Sequence, residues 1–137
     1  MKVTTRLHVS ADYLFARLIE TALYDLNKET GKNLTSDELE NQTYLSKIND
    51  GQTVELTIVK VVKNKALHMM AKSQDETMEM GYDLVAVGPN EVDVTYFEQL
   101  KQAKLLTVVQ DRIKNMSLGW LKKHNFVKVL KEFEAGY

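Results

Sequence analysis

Apolar and polar residues alternate singly at the start of the chain, with Val3, Thr5, Leu7 and Val9 set against Lys2, Thr4, Arg6 and His8. A period of two is that of a half-buried strand. The period then changes. Leu14, Phe15, Leu18, Ile19, Ala22 and Leu26 recur at helical spacing and form one apolar stripe. Ser10 is placed to cap this helix, Asp12 falls in its first turn beside the positive end of the dipole, and Gly31 ends it. Thr35-Ser36-Asp37-Glu38-Leu39 predicts a short capped helical turn.

From Thr43 to Leu100 the pattern is that of strands. TYLSKI and QTVELTIVKVV flank Asn49-Asp50-Gly51, a strong hairpin signal. KNK, SQDE and GPN follow at spacings of roughly ten to fifteen residues, which predicts a five-stranded antiparallel meander. Beyond Leu100 the helical period returns, with Leu105, Val109, Ile113, Met116 and Trp120 on one stripe and Phe126, Leu130 and Phe133 on a second. One long C-terminal helix is expected, with Gly119 or Asn125 as the place for a kink. The fold class is therefore α+β, in the order β-α-α-β5-α. The whole chain, residues 1–137, is read as a single domain.

Strand register follows from requiring one face to stay apolar. With SQDE as the loop, Lys72 faces Thr77, and Leu67, Met69 and Ala71 share a face with Met78, Met80, Tyr82 and Leu84. His68, Met70, Lys72, Thr77, Glu79 and Asp83 take the other face. A three-residue GPN loop adds Val92, Val94, Tyr96 and Glu98 to the apolar face. An Asn64-Lys65 turn places Val54, Leu56, Ile58, Lys60 and Val62 there too, although Val59 and Val61 make both faces of that strand apolar.

Four of the six methionines fall between residues 69 and 80. The register sends Met69, Met78 and Met80 inward and leaves Met70 beside His68 outside, which breaks up any joint metal site. Thioethers bind Cu(I), but no cysteine is present and His8, His68 and His124 are scattered. No metal and no cofactor is expected. The inward thioethers fill a core or line an adaptable pocket; the two have the same pattern. The expected inner row is Lys60, Met69, Met80 and Glu98, an apolar surface with one cation and one anion as orienting groups.

Composition narrows the function classes. With 137 residues, 44% hydrophobic and 27% charged, the chain has the make-up of one folded domain. The absence of cysteine excludes thiol catalysis, disulfide redox chemistry and thiolate zinc sites. No apolar run is long enough to span a membrane and the N-terminus has no signal-like apolar stretch, so the cytoplasm is the expected location. Residues 1–100 carry 10 basic and 16 acidic residues, and residues 101–137 carry 8 and 3. The basic C-terminal element is read as a solvated helix face that complements an acidic remainder. It lacks a base-stacking pattern, so no nucleic-acid partner is expected.

Catalytic signatures are absent from the sequence. There is no G-x-S-x-G elbow, H-E-x-x-H, G-x-G-x-x-G or phosphate loop. Asp37-Glu38-x-Glu40 and Asp75-Glu76 read as exposed acidic loops. Tyr82, Tyr96 and Glu98 would form an acid–base set only if they share a cavity that desolvates Glu98. No catalytic residue is assigned.

The segments "GYDLVAVGPNEVDVTYFEQL" and "LGWLKKHNFVKVLKEFE", within this order of elements, resemble the START-like superfamily (SRPBCC, birch-pollen-allergen type). Within it they look like an uncharacterised bacterial domain family, found largely in Gram-positive bacteria. The resemblance covers the whole chain and implies a helix-grip fold, a curved six-stranded antiparallel sheet packed on the long C-terminal helix with a cavity between them. Members of the superfamily bind lipids, sterols, polyketides and other apolar molecules; some are cyclases or hydrolases, others chaperone regulators. Fold alone does not choose among these.

The expectation is non-enzymatic binding of a small apolar, amphipathic or lipid-like ligand between sheet and helix. Its site would comprise Ile58, Lys60, Met69, Met78, Met80, Tyr82, Tyr96, Glu98 and the helix residues Val109, Ile113 and Met116. The alternative is a protein-interaction or regulatory domain, as a homodimer or with a protein partner, and an enzyme comes third.

Overall fold

The computed structural model describes residues 2–47, 53–74, 76–103 and 123–137. Strand β1 (Lys2–Leu7) leads into helix α1 (Ala11–Thr30), followed by a 3-10 turn at Ser36–Glu38. Five strands come next: β2 (Thr43–Lys47), β3 (Thr53–Val62), β4 (Ala66–Lys72), β5 (Glu76–Gly88) and β6 (Glu91–Ala103). Helix α2 (Lys123–Ala135) is the last element. The Asn49-Asp50-Gly51 turn, Trp120 and the expected helix residues Val109, Ile113 and Met116 lie outside the described residues.

Both ends of α1 carry the expected caps. The Tyr13 amide donates to Ser10 Oγ at 3.0 Å, which satisfies one of the donors left open by the first turn. Gly31 adopts the left-handed conformation at φ 71°, and its amide closes on the Asn27 carbonyl at 2.9 Å. Leu14, Phe15, Leu18, Ile19 and Leu26 are buried, so the apolar stripe faces the core as its period requires. In the following turn the Glu38 carboxylate accepts from both the amide and the hydroxyl of Thr35 at 3.0 Å. Those bonds hold the Glu38 carboxyl below its ordinary pKa.

The six strands form one antiparallel, curved sheet in the order β1-β6-β5-β4-β3-β2. Register between β4 and β5 follows the even SQDE loop: Lys72 pairs with Thr77, Ala71 with Met78, Met69 with Met80 and Leu67 with Tyr82. Between β5 and β6, Leu84 pairs with Val94 and Tyr82 with Tyr96, as a three-residue GPN loop requires. The turn itself is different. Gly88 pairs with Glu91, leaving Pro89-Asn90 as the turn, and an irregularity between Ala86 and Gly88 absorbs the extra residue.

The β3–β4 hairpin departs from expectation in a way that changes a face. Val62 pairs with Ala66 around Lys63-Asn64-Lys65, with Asn64 left-handed at φ 61°. A bulge between Ile58 and Lys60 then shifts the register by one residue. Because side chains alternate with period two, one extra residue moves Lys60 and Val62 to the outer face. Lys60 pairs with His68 and is exposed; Ile58 takes the place opposite Met69. The bulge is held from outside the hairpin. The Val61 amide donates to Glu40 Oε2 at 2.7 Å, and Ile58 exchanges backbone bonds with Asn41 and Gln42.

Helix α2 is fastened where β1 passes into α1. Glu134 Oε2 accepts from the His8 amide at 2.6 Å, and the Tyr13 hydroxyl donates to the Phe133 carbonyl at 2.9 Å. The rings of Tyr13 and Tyr137 meet edge to face at 4.9 Å, and Leu130 is buried. The Tyr137 hydroxyl reaches Asn90 in the β5–β6 turn.

Candidate functional site

The inner face of the sheet gathers most of the residues picked out from sequence. Cross-strand pairing lines up Ile58, Met69, Met80 and Glu98 on β3, β4, β5 and β6. This is the expected row with one member replaced, Ile58 for Lys60. All four side chains are buried. Met78 lies beside them, opposite Ala71 on β4 and Leu100 on β6. Met70 and His68 stand on the outer face, as the register implied.

Two tyrosines adjoin the row. Tyr82 and Tyr96 are cross-strand partners with ring centroids 5.4 Å apart, within the range of a favourable aromatic pair. Tyr96 and Glu98 are two residues apart on β6 and so share a face. The Tyr96 hydroxyl donates to Glu98 Oε1 at 2.5 Å. Burial pushes the Glu98 carboxyl up, and the Tyr96 hydrogen bond partly opposes that by favouring the ionised form. Desolvation together with the Glu98 charge pushes Tyr82 up to about 12 and Tyr96 further. Both phenols therefore stay neutral across the physiological range.

Sequence reasoning missed a second inner-face carboxylate. Glu76 was expected in an exposed loop, yet it opens β5 and is only 3% exposed. Its backbone carbonyl closes the turn by accepting from the Ser73 amide at 2.9 Å. The signal was available, because Glu76 lies two residues before Met78 and the same alternation carries it inward. Strand β6 continues past Glu98 to Ala103.

The outer face has its own cluster. His68 Nε2 lies 2.7 Å from Asp83 Oδ1, and its ring meets Phe97 edge to face at 4.8 Å. Gly81 is directly opposite His68, where a Cβ would lie 2.5 Å from the Leu67 carbonyl oxygen and 2.8 Å from His68 Cδ2. The imidazole covers ground that a side chain at position 81 would occupy. Clefts also open at two places among the described residues. One of about 470 Å³ lies between α1 and the β3–β4 hairpin, with Phe15, Ile19 and Val61 among its walls and Asp12, Asp37, Glu40 and Lys63 also lining it. Another of about 400 Å³ is lined by Lys2, Asp83, Phe97, Glu98 and Gln99.

This order of elements, with a six-stranded antiparallel sheet and a C-terminal helix, is a helix-grip fold of the kind seen in START-like structures. Norcoclaurine synthase from Thalictrum flavum, solved with dopamine and hydroxybenzaldehyde, matches with a TM-score of 0.66 at 5% identity over 98% of this chain and 83% of that one. A START superfamily protein from Mycobacterium smegmatis matches with a TM-score of 0.54 at 10% identity, covering 87% and 92% of the two chains. An HSP90 activator from Plasmodium falciparum gives 0.58 at 17% identity, covering 93% and 90%. At such identities the likeness is one of fold. No curated protein matches the sequence. The chain belongs to the family described as a domain of unknown function (DUF3284), whose model matches residues 1–119.

Proposed function

We propose that this domain binds a small apolar or amphipathic molecule, without chemical turnover, between the inner face of the sheet and the C-terminal helix. The observation that carries this is the row Ile58–Met69–Met80–Glu98, flanked by Met78 and the Tyr82–Tyr96 pair. Thioether chains repack cheaply around varied shapes, and a few polar groups at one end of an apolar surface are what orients a ligand. The norcoclaurine synthase match, a complex with two small aromatic molecules, supports reading the fold as a ligand holder. The proposal places one START-like domain in the cytoplasm.

The test is native mass spectrometry of the purified protein, followed by titration with an apolar fluorescent probe. A co-purified small molecule, or a probe that saturates a single site, is expected. An unliganded protein that binds no probe would overturn the proposal.

A second reading, a protein-interaction or regulatory domain, has one observation in its favour. Strand β2 is an edge of the sheet, and its Leu45 is 62% exposed. Unprotected edges invite pairing with another chain. A homodimer seen by light scattering and lost in Leu45→Lys would favour this reading.

A further inference from the structure

The bulge in β3 also shapes a cleft away from the inner-face row. Beyond it Val61 pairs with Leu67, keeps the parity of the inner face and packs against the core near the hairpin turn. Helix α1 brings Asp12, Phe15, Ala16 and Ile19 to this cleft, the spacing of a single helix face. The cleft of about 470 Å³ between that face, the 3-10 turn and the hairpin is of small-molecule size. Phe15, Ile19 and Val61 give it apolar walls. Its charged groups among the described residues are unbalanced, with Asp12, Asp37 and Glu40 against Lys63, all exposed. Asp12 belongs to α1 and Asp37 to the 3-10 turn, so negative charge flanks the apolar walls from two elements. Glu40 Oε2 accepts from the Val61 amide at 2.7 Å, which ties that carboxylate to the hairpin in advance of any ligand.

We infer that this cleft is a binding site for a small molecule with an apolar body and a protonated amine. It lies apart from the inner-face row and does not rest on the binding function proposed above. The acids alone would make only an acidic surface; the concave apolar walls between them make a site. An apolar body removes those walls from water, and an ammonium offers three donors to the carboxylates around them. Such charge-assisted bonds are stronger than neutral ones. A ligand carrying a carboxylate would meet like charge on both sides, with Lys63 as its one favourable partner among the described lining residues. Asp12 also offsets the positive end of α1, so Asp37 and Glu40 carry the larger share of the selection.

The experiment is titration of nitrogen-15-labelled protein with tryptamine, tryptophol and indole-3-acetate near neutral pH, followed by amide shifts in NMR. Tryptamine is expected to move the amides of Ile19, Ser36, Val61 and Asn64. It should bind about fivefold more tightly than indole-3-acetate, the scale of an exposed ion pair, with tryptophol between them. Added salt should shrink that preference. Asp37→Asn should narrow the gap between amine and acid, and Lys63→Ala should widen it. If one variant does not fold, the other and the wild-type order carry the test. Equal binding of amine and acid, or a gap that moves the opposite way in either variant, would overturn the charge selection. Shifts confined to inner-face residues such as Met69 and Met80 would overturn this site and leave the proposed binding function standing. The absence of any shift with tryptamine would overturn the cleft as a site.

Discussion

The Tyr96 hydroxyl and the Glu98 carboxylate are joined by a 2.5 Å hydrogen bond on a strand face that leaves them 1% and 7% exposed. A strand with period two puts residues 96 and 98 side by side, so the bond is local in sequence. Its setting is not local. Met80 on β5 and Tyr82 beside it cover the pair from the neighbouring strand, and burial is the largest influence on all three ionisable groups.

The raised Glu98 pKa fixes the sign of a pH effect. The fold favours the protonated carboxyl, so this group's contribution is full below the ordinary carboxylate value and is lost as pH rises through the raised folded value. Glu98→Gln keeps an acceptor for Tyr96 and removes the titration. In denaturant unfolding the variant should be ahead of wild type at neutral pH, with the gap narrowing as pH falls. A gap that widens on acidification would contradict the assignment.

Tyr96→Phe removes the donor and leaves the buried carboxylate without that bond. The expected cost is about 1–3 kcal/mol in chemical denaturation. Because the Tyr96 bond lowers the Glu98 pKa, the variant should also titrate Glu98 higher by carboxyl-carbon NMR. Loss of stability without a change in that titration would mean the ring, and not the hydroxyl, matters.

Gly81 is fixed by close approach of backbone. An alanine Cβ there would lie 2.5 Å from the Leu67 oxygen and 2.9 Å from His68 Cα, both main-chain atoms that cannot swing aside. Gly81→Ala should destabilise by about 2 kcal/mol or more, the scale of overpacking in a well-filled site. Thermal unfolding would measure it. A neutral substitution would show that β4 and β5 can separate there at little cost.

The bulge that turns Lys60 outward is bonded by a side chain from the turn that precedes β2. Glu40→Ala deletes the acceptor of the Val61 amide, with an expected cost of about 1 kcal/mol, the net value of one such bond. Amide hydrogen exchange should show the Val61 N–H losing protection selectively. Unchanged protection would place the anchor of the bulge in the Asn41 and Gln42 backbone bonds alone.

What could be read from the sequence divides along physical lines. The β4–β5 register was legible because SQDE separates two strands with one clearly apolar face each, and only an even loop keeps both faces consistent. Register beyond GPN was legible for the same reason, although the turn is one residue shorter than it looked and a bulge restores the phase. The β3–β4 register was not. Val59 and Val61 make that strand apolar on both faces, and a bulge has no period of its own to detect. Glu40, which pins it, is distant in sequence from the hairpin and reads as an exposed acid. Of the candidate site, the inward thioethers and the Tyr82–Tyr96–Glu98 cluster were legible from alternation. Lys60 was misplaced by the bulge, and Glu76 was mistaken for a loop residue.

The most direct measurement uses methionine methyl groups, since the domain has three inward thioethers and an outward one on the same hairpin. Protein labelled with carbon-13 at the methionine methyls would be titrated with N-phenyl-1-naphthylamine and followed by NMR. The account predicts that Met69, Met78 and Met80 shift together and saturate at one equivalent, while Met70 stays in place. Inner methyls that do not move, or a shift confined to Met70, would contradict it.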